Sequence, residues 1–254
     1  MKRFGLIGHP IAHSLSPALF RAGYDGRYPY DLIETPDFEE AYSRFLAEYD
    51  GINVTAPFKE LAFAKADMLS DECKAIKAAN LLVKTPEGVK AYNSDFLGVR
   101  MWIEEMLAEL EKEHPVCLIV GLGGAGKAAA EAARSLGMET ILMNRTVRSG
   151  NVRPLEDFRE CFREADIIIY NIPTTIAQLN DLTYSDFTPG KPKFILEANY
   201  KSPSFGTTFI NRIKETNPLA RYTGGRTWLL YQAVTGYGIF TGEKPDLEKM
   251  SAVL

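Results

Sequence analysis

The 254-residue chain has few of the side chains that bind metals or form disulfides. It contains three histidines and three cysteines, and Cys73, Cys117 and Cys161 are far apart in the sequence. No Cys-x-x-Cys pair or cysteine–histidine cluster occurs, so the sequence predicts neither a disulfide framework nor a structural zinc site. We expect no metal site, and a reducing, cytoplasmic setting.

Long apolar runs and an excess of positive charge are also absent. No stretch approaches the ~18 apolar residues of a membrane-spanning helix. The N-terminal segment MKRFGLIGHP has too short an apolar run for a signal peptide. The formal net charge of −4 gives no reason to expect a nucleic acid or an anionic membrane as a partner. Composition therefore predicts an ordinary globular protein. The sequence leaves both a monomer and a homodimer open.

Strand and helix patterns alternate along the chain. Short apolar runs such as GINVT (51–55) and VCLIV (116–120) alternate with segments such as 37–50, whose apolar residues recur at spacings near 3.6. This alternation predicts an α/β protein with parallel sheets covered by helices. A long helix over 96–113 separates two such series, so we predict two α/β units with this helix as a bridge.

The segment GLGGAGKAAA at 121–130 fits two phosphate-binding patterns. A P-loop needs Ser or Thr after its lysine to hold Mg²⁺, and position 128 is alanine. In a dinucleotide-binding turn, Gly121 makes the tight turn, Gly123 lets the backbone approach the pyrophosphate and Gly126 lets helix and strand pack closely. The strand predicted before the turn and the helix predicted after it favour a dinucleotide-binding turn over a P-loop. The remaining alternative is a glycine-rich turn that binds no ligand.

The end of the next predicted strand bears on which dinucleotide binds. An NAD site usually has an acidic residue there for the ribose hydroxyl, whereas an arginine accommodates the 2′-phosphate of NADP. Here the strand runs into Asn144, Arg145 and Thr146, with Arg148 just beyond and no acid. This favours NADP(H), the alternative being that both arginines are ordinary surface charge.

Polar residues cluster at three places where predicted strands end or helices begin. These are Ser14 and Ser16 in HSLSP, Asn53, Thr55 and Lys59 in NVTAPFK, and Asn93, Ser94 and Asp95 in NSD. Ligands of open α/β sheets bind at the carboxyl ends of strands. Each residue also has a structural interpretation, as a helix cap, a strand end or a surface lysine. Together they would suit a polyhydroxylated acid.

With these motifs the chain resembles the shikimate dehydrogenase family over nearly its whole length. The family's motifs appear as HSLSP, NVTAPFK, NSD, GLGGAG, NRT, YKSP and LLYQA. The resemblance implies a substrate domain formed by 1–97 and completed by the C-terminal helical segment 227–254. It also implies a Rossmann NADP-binding domain over 98–226, which includes the bridging helix.

The implied reaction is the reversible, NADPH-dependent reduction of 3-dehydroshikimate to shikimate, a step towards chorismate and the aromatic amino acids. The alternatives are a quinate/shikimate dehydrogenase that uses NAD and a noncatalytic shikimate-binding relative. The family's catalytic pair corresponds to Lys59 and Asp95. Its substrate-binding residues correspond to Ser14, Ser16, Thr55, Asn80, Tyr200 and Gln232. Its cofactor-binding residues correspond to Gly121, Gly123, Gly124, Ala125, Gly126, Asn144, Arg145, Thr146, Arg148 and Gly225.

The chemistry of this pair is consistent with that role. Hydride addition to a ketone develops negative charge on oxygen, which an ammonium group can stabilise and protonate. Lys59 is the expected proton donor, and Asp95 would orient it. An ammonium group must lose its own proton before it can accept one, so shikimate oxidation is expected to speed up as the pH rises.

Three segments depart from the family's pattern. NIPTTIA at 171–177 lacks the usual Gly-Met, Glu197 stands where the family tends to have aspartate, and Thr227 and Trp228 replace Gly and Met before the last helix. All three are expected on the nicotinamide side of the site.

Overall fold

The computed structural model describes residues 1–147 and 150–254. It divides into two compact units, Met1–Gly98 with Leu230–Leu254, and Val99–Leu229. The chain passes between the units inside two long helices, Ser94–Leu110 and Gly225–Thr241. No helix among the described residues is long and apolar enough to cross a bilayer.

The first unit is built around a six-stranded sheet. Its elements, up to the helix that leaves it, are β1 Phe4–Gly8, α1 Ser16–Gly23, β2 Tyr30–Glu34, α2 Phe38–Glu48, β3 Gly51–Val54, α3 Lys59–Lys65, β4 Met68–Leu69, α4 Asp71–Ile76, β5 Leu81–Thr85, β6 Gly88–Tyr92 and α5 Ser94–Leu110. The strand order is β2-β1-β3-β5-β6-β4.

This first sheet is mixed, so the prediction of a wholly parallel sheet is wrong for this unit. β1 runs parallel to β2 and β3, whereas β5 runs antiparallel to both β3 and β6. β5 and β6 are antiparallel because they form a hairpin across the Pro86–Glu87 turn, with no crossover helix between them. The sequence did not predict the second strand, β6, whose residues are only alternately buried.

The segment KELAFAKADML (59–69) has a helical pattern, but the helix in it ends at Lys65. The Asp67 N–H donates to the Val89 carbonyl at 2.9 Å, and the Asp67 carboxylate accepts from the Val89 N–H at 2.8 Å. These two bonds draw the chain to the sheet edge as β4, which precludes a continuous helix.

The topology of the first unit brings one end of each of four strands to the same edge of the sheet. β1 and β3 finish there, and β6 finishes there because it is parallel to β3. β5 is antiparallel to both neighbours and therefore begins at the same edge, immediately after Asn80. The polar clusters that follow β1, β3 and β6 in sequence thus share this edge with Asn80.

The second unit carries a fully parallel sheet. Its elements are β7 Val116–Val120, α6 Gly124–Ser135, β8 Glu139–Met143, β9 Val152–Arg153, α7 Phe158–Glu164, β10 Ile167–Tyr170, β11 Lys193–Glu197, α8 Thr207–Thr216, β12 Ala220–Thr223 and the start of α9 Gly225–Thr241. α9 ends in the first unit, which α10 Leu247–Ser251 completes.

The strand order of this second sheet is β12-β11-β10-β7-β8-β9, and every neighbouring pair is parallel. The order reverses between β7 and β10, which is the doubly wound Rossmann arrangement with its ligand crevice at the reversal. β7 and β11 are buried along their whole length, as expected for strands covered on both faces. The sequence did not predict β9 and β12, which are short, partly exposed edge strands.

A buried carboxylate anchors the outer layer of this unit. The side chain of Asp186 has no exposed surface and accepts from the Thr183 N–H and hydroxyl and from the guanidinium groups of Arg159 and Arg163. Burial by itself would raise the pKa of Asp186, but these donors outweigh it and hold that pKa well below the ordinary value.

We expect Asp186→Asn to lower the melting temperature at pH 7 by about 5 °C, because a buried anion with charged donors is lost. A carboxylate whose pKa is lower in the folded than in the unfolded protein stabilises the fold at pH values above its unfolded-state pKa of about 3.9. This stabilisation is lost as the pH falls through the folded-state pKa. The difference between variant and wild type should therefore shrink below pH ~4. Thermal melts from pH 7 to pH 2 measure it, and a difference that stays constant would contradict this role.

Candidate active site

The structure brings Lys59 and Asp95 into direct contact within the first unit. Lys59 is the first residue of α3, and Asp95 lies in the first turn of α5. The Lys59 Nζ donates to Asp95 Oδ2 at 2.5 Å, with the two side chains 29% and 14% exposed. An ammonium group has three N–H donors, so one can be fixed by the carboxylate while others serve a substrate. The pair can therefore hold and move a proton at a defined place.

Helix caps were the structural alternatives for Asp95 and Ser16, and other residues occupy those positions. The Asn93 Oδ1 accepts from the Phe96 N–H at 3.1 Å at the start of α5. At α1 the residue before the helix is Leu15, and no side chain caps it. Neither Asp95 nor Ser16 therefore occupies the N-cap position of its helix.

Asn80 ties the start of α5 to the sheet edge. Its buried Oδ1 accepts from the Ser94 N–H at 2.6 Å and from the Ser94 hydroxyl at 3.2 Å. Its carbonyl accepts from the Val54 N–H at 2.8 Å. Asn80 therefore fixes the helix turn that carries Asp95 against the strand that leads to Lys59.

Two tyrosines that the sequence did not reveal support the polar segments HSLSP and NVTAPFK. The Ser14 hydroxyl accepts from the Ser16 N–H at 3.2 Å. The Tyr237 hydroxyl donates to the Ser16 carbonyl at 3.1 Å, and the Tyr30 hydroxyl donates to Asn53 Oδ1 at 2.8 Å. Burial raises the pKa of Tyr237, which keeps it a donor. Both tyrosines lie in apolar stretches typical of core, so no sequence signal separated them from ordinary packing residues.

Thr55 and Gln232 are the other predicted substrate residues of the first unit. Thr55 follows β3, and its N–H donates to the Ile7 carbonyl at 2.9 Å. Gln232 lies where α9 packs directly on α5, since a side chain at Gly98 would overlap the Gln232 backbone. Gly98 is about one turn beyond Asp95, so Gln232 lies beside the helix that carries the catalytic candidate.

The glycine turn of the second unit has the shape that a dinucleotide requires. Gly121 has φ +89°, a conformation that L side chains rarely adopt, and its N–H donates to the Met143 carbonyl at 2.8 Å. A Cβ on Gly126 would overlap the Gly121 carbonyl oxygen. A Cβ on Gly123 or Gly124 would meet nothing within 4 Å, so both face open space.

This turn leads into a helix start that can bind an anion. α6 begins at Gly124 without a side-chain cap, so its first N–H groups are not occupied by a capping side chain. Such N–H groups and the positive end of the helix dipole favour phosphate. These residues fit a bound dinucleotide, with the pyrophosphate as the group held at the turn.

Asn144, Arg145 and Thr146 follow β8, which pairs with β7 at the glycine turn. The Asn144 N–H donates to the Arg153 carbonyl at 3.2 Å, while Arg145 and Thr146 are exposed. No acidic residue stands at this strand end. The predicted contact at Arg148 lies outside the described residues.

Tyr200 and Gly225, the remaining predicted site residues, also belong to the second unit. Tyr200 is half-buried in the loop between β11 and α8. Gly225 begins α9 and packs so closely on the backbone after β11 that a Cβ there would overlap the Ala198 carbonyl.

Comparisons with known proteins agree with this two-part architecture. Residues 6–82 match the family model of the shikimate dehydrogenase substrate binding domain. Residues 80–196 match that of the D-isomer specific 2-hydroxyacid dehydrogenase NAD binding domain. A shikimate dehydrogenase (NADP(+)) of Caldicellulosiruptor saccharolyticus is 28% identical over 260 residues, covering 92% of this chain and 90% of that protein.

Solved structures show the same relationship. Shikimate 5-dehydrogenase of Thermus thermophilus, in complex with NADP(H) and shikimate, superimposes with a TM-score of 0.80 at 26% identity, covering 100% of this chain and 98% of the other. Quinate dehydrogenase of Corynebacterium glutamicum, in complex with NAD, shares the fold with a TM-score of 0.81 at 20% identity, covering 99% and 98%. The chain belongs to the shikimate dehydrogenase family, as an oxidoreductase with a substrate domain and a Rossmann NAD(P)-binding domain.

Proposed function

We propose that the chain catalyses the reversible, NADPH-dependent reduction of 3-dehydroshikimate to shikimate. The observation that carries this proposal is the Lys59–Asp95 pair, whose Nζ and Oδ2 lie 2.5 Å apart at the sheet edge where the polar clusters gather. The NADP(+)-dependent relative and the relative bound to shikimate support it.

In this proposal Lys59 is the proton donor and Asp95 holds it in place. NADPH, when bound, supplies the hydride that reduces the substrate carbonyl. The Lys59 ammonium stabilises the charge that develops on the carbonyl oxygen and then protonates it. In the reverse direction, neutral Lys59 takes the proton from the shikimate hydroxyl.

Substrate binding is assigned to a set of polar side chains. The proposed set is Ser14, Ser16, Thr55, Asn80, Tyr200 and Gln232. Hydroxyl and amide groups of this kind give and accept hydrogen bonds, as a polyhydroxylated acid requires. The substrate domain in this assignment is 1–97 with 227–254, and the cofactor domain is 98–226.

NADP(H) is assigned to the second unit in preference to NAD(H). The pyrophosphate would be held at Gly121, Gly123, Gly124, Ala125 and Gly126, the adenosine phosphate by Asn144, Arg145, Thr146 and Arg148, and the nicotinamide near Gly225. The strand end after β8 has no acid for a ribose hydroxyl and has an exposed arginine suited to a phosphate.

Arg145→Ala is expected to raise KM for NADP⁺ about tenfold, because one charged hydrogen bond to a phosphate is worth roughly 1.5 kcal/mol or more. KM for NAD⁺ should change less than about twofold, since NAD⁺ lacks the 2′-phosphate. Arg134→Ala, at the exposed far end of α6, is the matched control. An equal rise in KM for both coenzymes would show that Arg145 does not bind the 2′-phosphate.

Turnover with shikimate and with quinate, each with NADP⁺ and NAD⁺, tests the proposed specificity. We expect the highest kcat/KM for shikimate with NADP⁺. Preference for quinate with NAD⁺ would instead favour the alternative within the family.

We also propose a cytoplasmic location, as a monomer or a homodimer. The three cysteines are buried and unpaired, and burial raises the pKa of Cys73 to about 12. Buried thiols of this kind are unreactive and suit a reducing compartment.

A further inference from the structure

The three segments that depart from the family's pattern meet around one buried carboxylate in the second unit. Glu197 is the last residue of β11, and none of its surface is exposed. A carboxylate buried this completely is costly unless hydrogen bonds satisfy it. The proposed reaction assigns it no part.

Three donors converge on Glu197. Its Oε1 accepts from the Ser204 N–H at 2.5 Å, and its Oε2 accepts from the Tyr222 hydroxyl at 2.6 Å and from the Phe205 N–H at 3.4 Å. Ser204 and Phe205 lie at the far end of the loop that starts directly after Glu197. The carboxylate therefore closes that loop at its base and, through Tyr222, fixes it to β12.

The other two divergent segments attach to the same loop. The Asn199 Nδ2 donates to the Pro173 carbonyl at 3.3 Å, and the Thr175 hydroxyl donates to the Ser204 carbonyl at 3.1 Å. These two hydrogen bonds join the segment NIPTTIA (171–177) to the loop. At the start of α9, Gly225 packs against the backbone that follows Glu197.

Tyr200 lies inside this loop, which is also braced internally. Asn199 Oδ1 accepts from the N–H groups of Lys201 and Ser202 at 3.2 Å each, and its Nδ2 donates to the Ser202 carbonyl at 2.6 Å. The tip of the loop is thus one hydrogen-bonded turn. Its placement depends on the bonds at its base.

We propose that Glu197 is the positioning residue of Tyr200, holding both ends of the loop between β11 and α8 through its buried carboxylate. This rests on the proposed function, in which Tyr200 contacts the substrate. Glu197 itself touches neither substrate nor cofactor in this proposal.

A double-mutant cycle between Glu197→Gln and Tyr200→Ala tests it. The glutamine presents an NH₂ group where one carboxylate oxygen accepted hydrogen bonds, so donor faces donor at the loop base. We expect each single variant to raise KM for shikimate about fivefold with kcat within about twofold, the signature of lost uniform binding. The double variant should be no worse than the poorer single variant, because both changes act through one contact.

Asp186→Asn is the matched control, because it also removes a fully buried carboxylate of the same unit. Asp186→Asn should lower stability without changing KM for shikimate. Combined with Tyr200→Ala, it should leave KM at the value of the Tyr200→Ala single variant. Tyr222→Phe is the milder variant, which removes one donor and keeps the carboxylate. It serves the same cycle if Glu197→Gln does not fold.

Amide hydrogen exchange of residues 198–205 gives a readout that does not depend on turnover. Glu197→Gln should speed exchange there selectively, whereas Asp186→Asn should not. Additive KM effects in the cycle, or no selective exchange, would overturn the positioning role. Failure of the wild type to oxidise shikimate would instead count against the proposed function, and the exchange comparison would still decide whether Glu197 holds the loop.

Discussion

Replacing Lys59 by alanine is expected to lower kcat for shikimate oxidation by about a thousandfold while KM stays within severalfold. Lys59 is half-buried, and its Nζ is held 2.5 Å from Asp95 Oδ2. Proton transfer and charge stabilisation act on the transition state more than on the bound substrate, so their loss appears in turnover. Initial rates over a range of shikimate concentrations measure both constants.

Lys65→Ala is the matched control for this prediction. Lys65 ends the same helix, and its ammonium pairs with Glu39 at 2.8 Å on the exposed surface. This control removes an equal charge from α3 and should leave kcat unchanged. If Lys59→Ala raised only KM, Lys59 would be a binding residue and another group would have to move the proton.

Gly126→Ala is expected to lower the free energy of unfolding by about 3 kcal/mol. The added methyl group would overlap the Gly121 carbonyl oxygen, which is a backbone atom that cannot swing aside. The turn between β7 and α6 must therefore shift. Urea denaturation measures the loss, and an unchanged midpoint would mean that helix and strand are not packed as described.

Gly123→Ala should leave stability nearly unchanged but weaken cofactor binding. A methyl group there meets nothing within 4 Å, and the φ of −70° suits alanine, so stability should barely change. The same methyl group would enter the space left for the pyrophosphate, and we expect the Kd for NADP⁺ to rise at least about tenfold. An unchanged Kd, measured by calorimetry, would show that this turn does not hold the dinucleotide.

The sequence predicted the second unit better than the first. Each strand of a parallel sheet covered on both faces is a continuous apolar run, such as VCLIV in β7, and the glycine turn punctuates it. The first unit contains a hairpin and the short strand β4, whose position depends on hydrogen bonds between Asp67 and Val89. Such long-range pairing leaves no periodicity in the sequence.

For the site, motifs indicated which residues matter but not how they are held. The contact between Lys59 and Asp95 joins residues 36 apart, and spacing alone does not predict it. The support from Tyr237 and the role of Glu197 depend on partners from other strands and helices. Residue type indicated which chemistry to expect, whereas the sheet topology decided which groups meet.

The measurement that tests the central claim most directly is the rate of NADP⁺ reduction by the purified protein with shikimate, followed by absorbance. The account predicts turnover that requires both compounds and is lost in Lys59→Ala. Shikimate binding by calorimetry without any turnover would contradict it, and would leave a shikimate-binding relative that has lost the reaction.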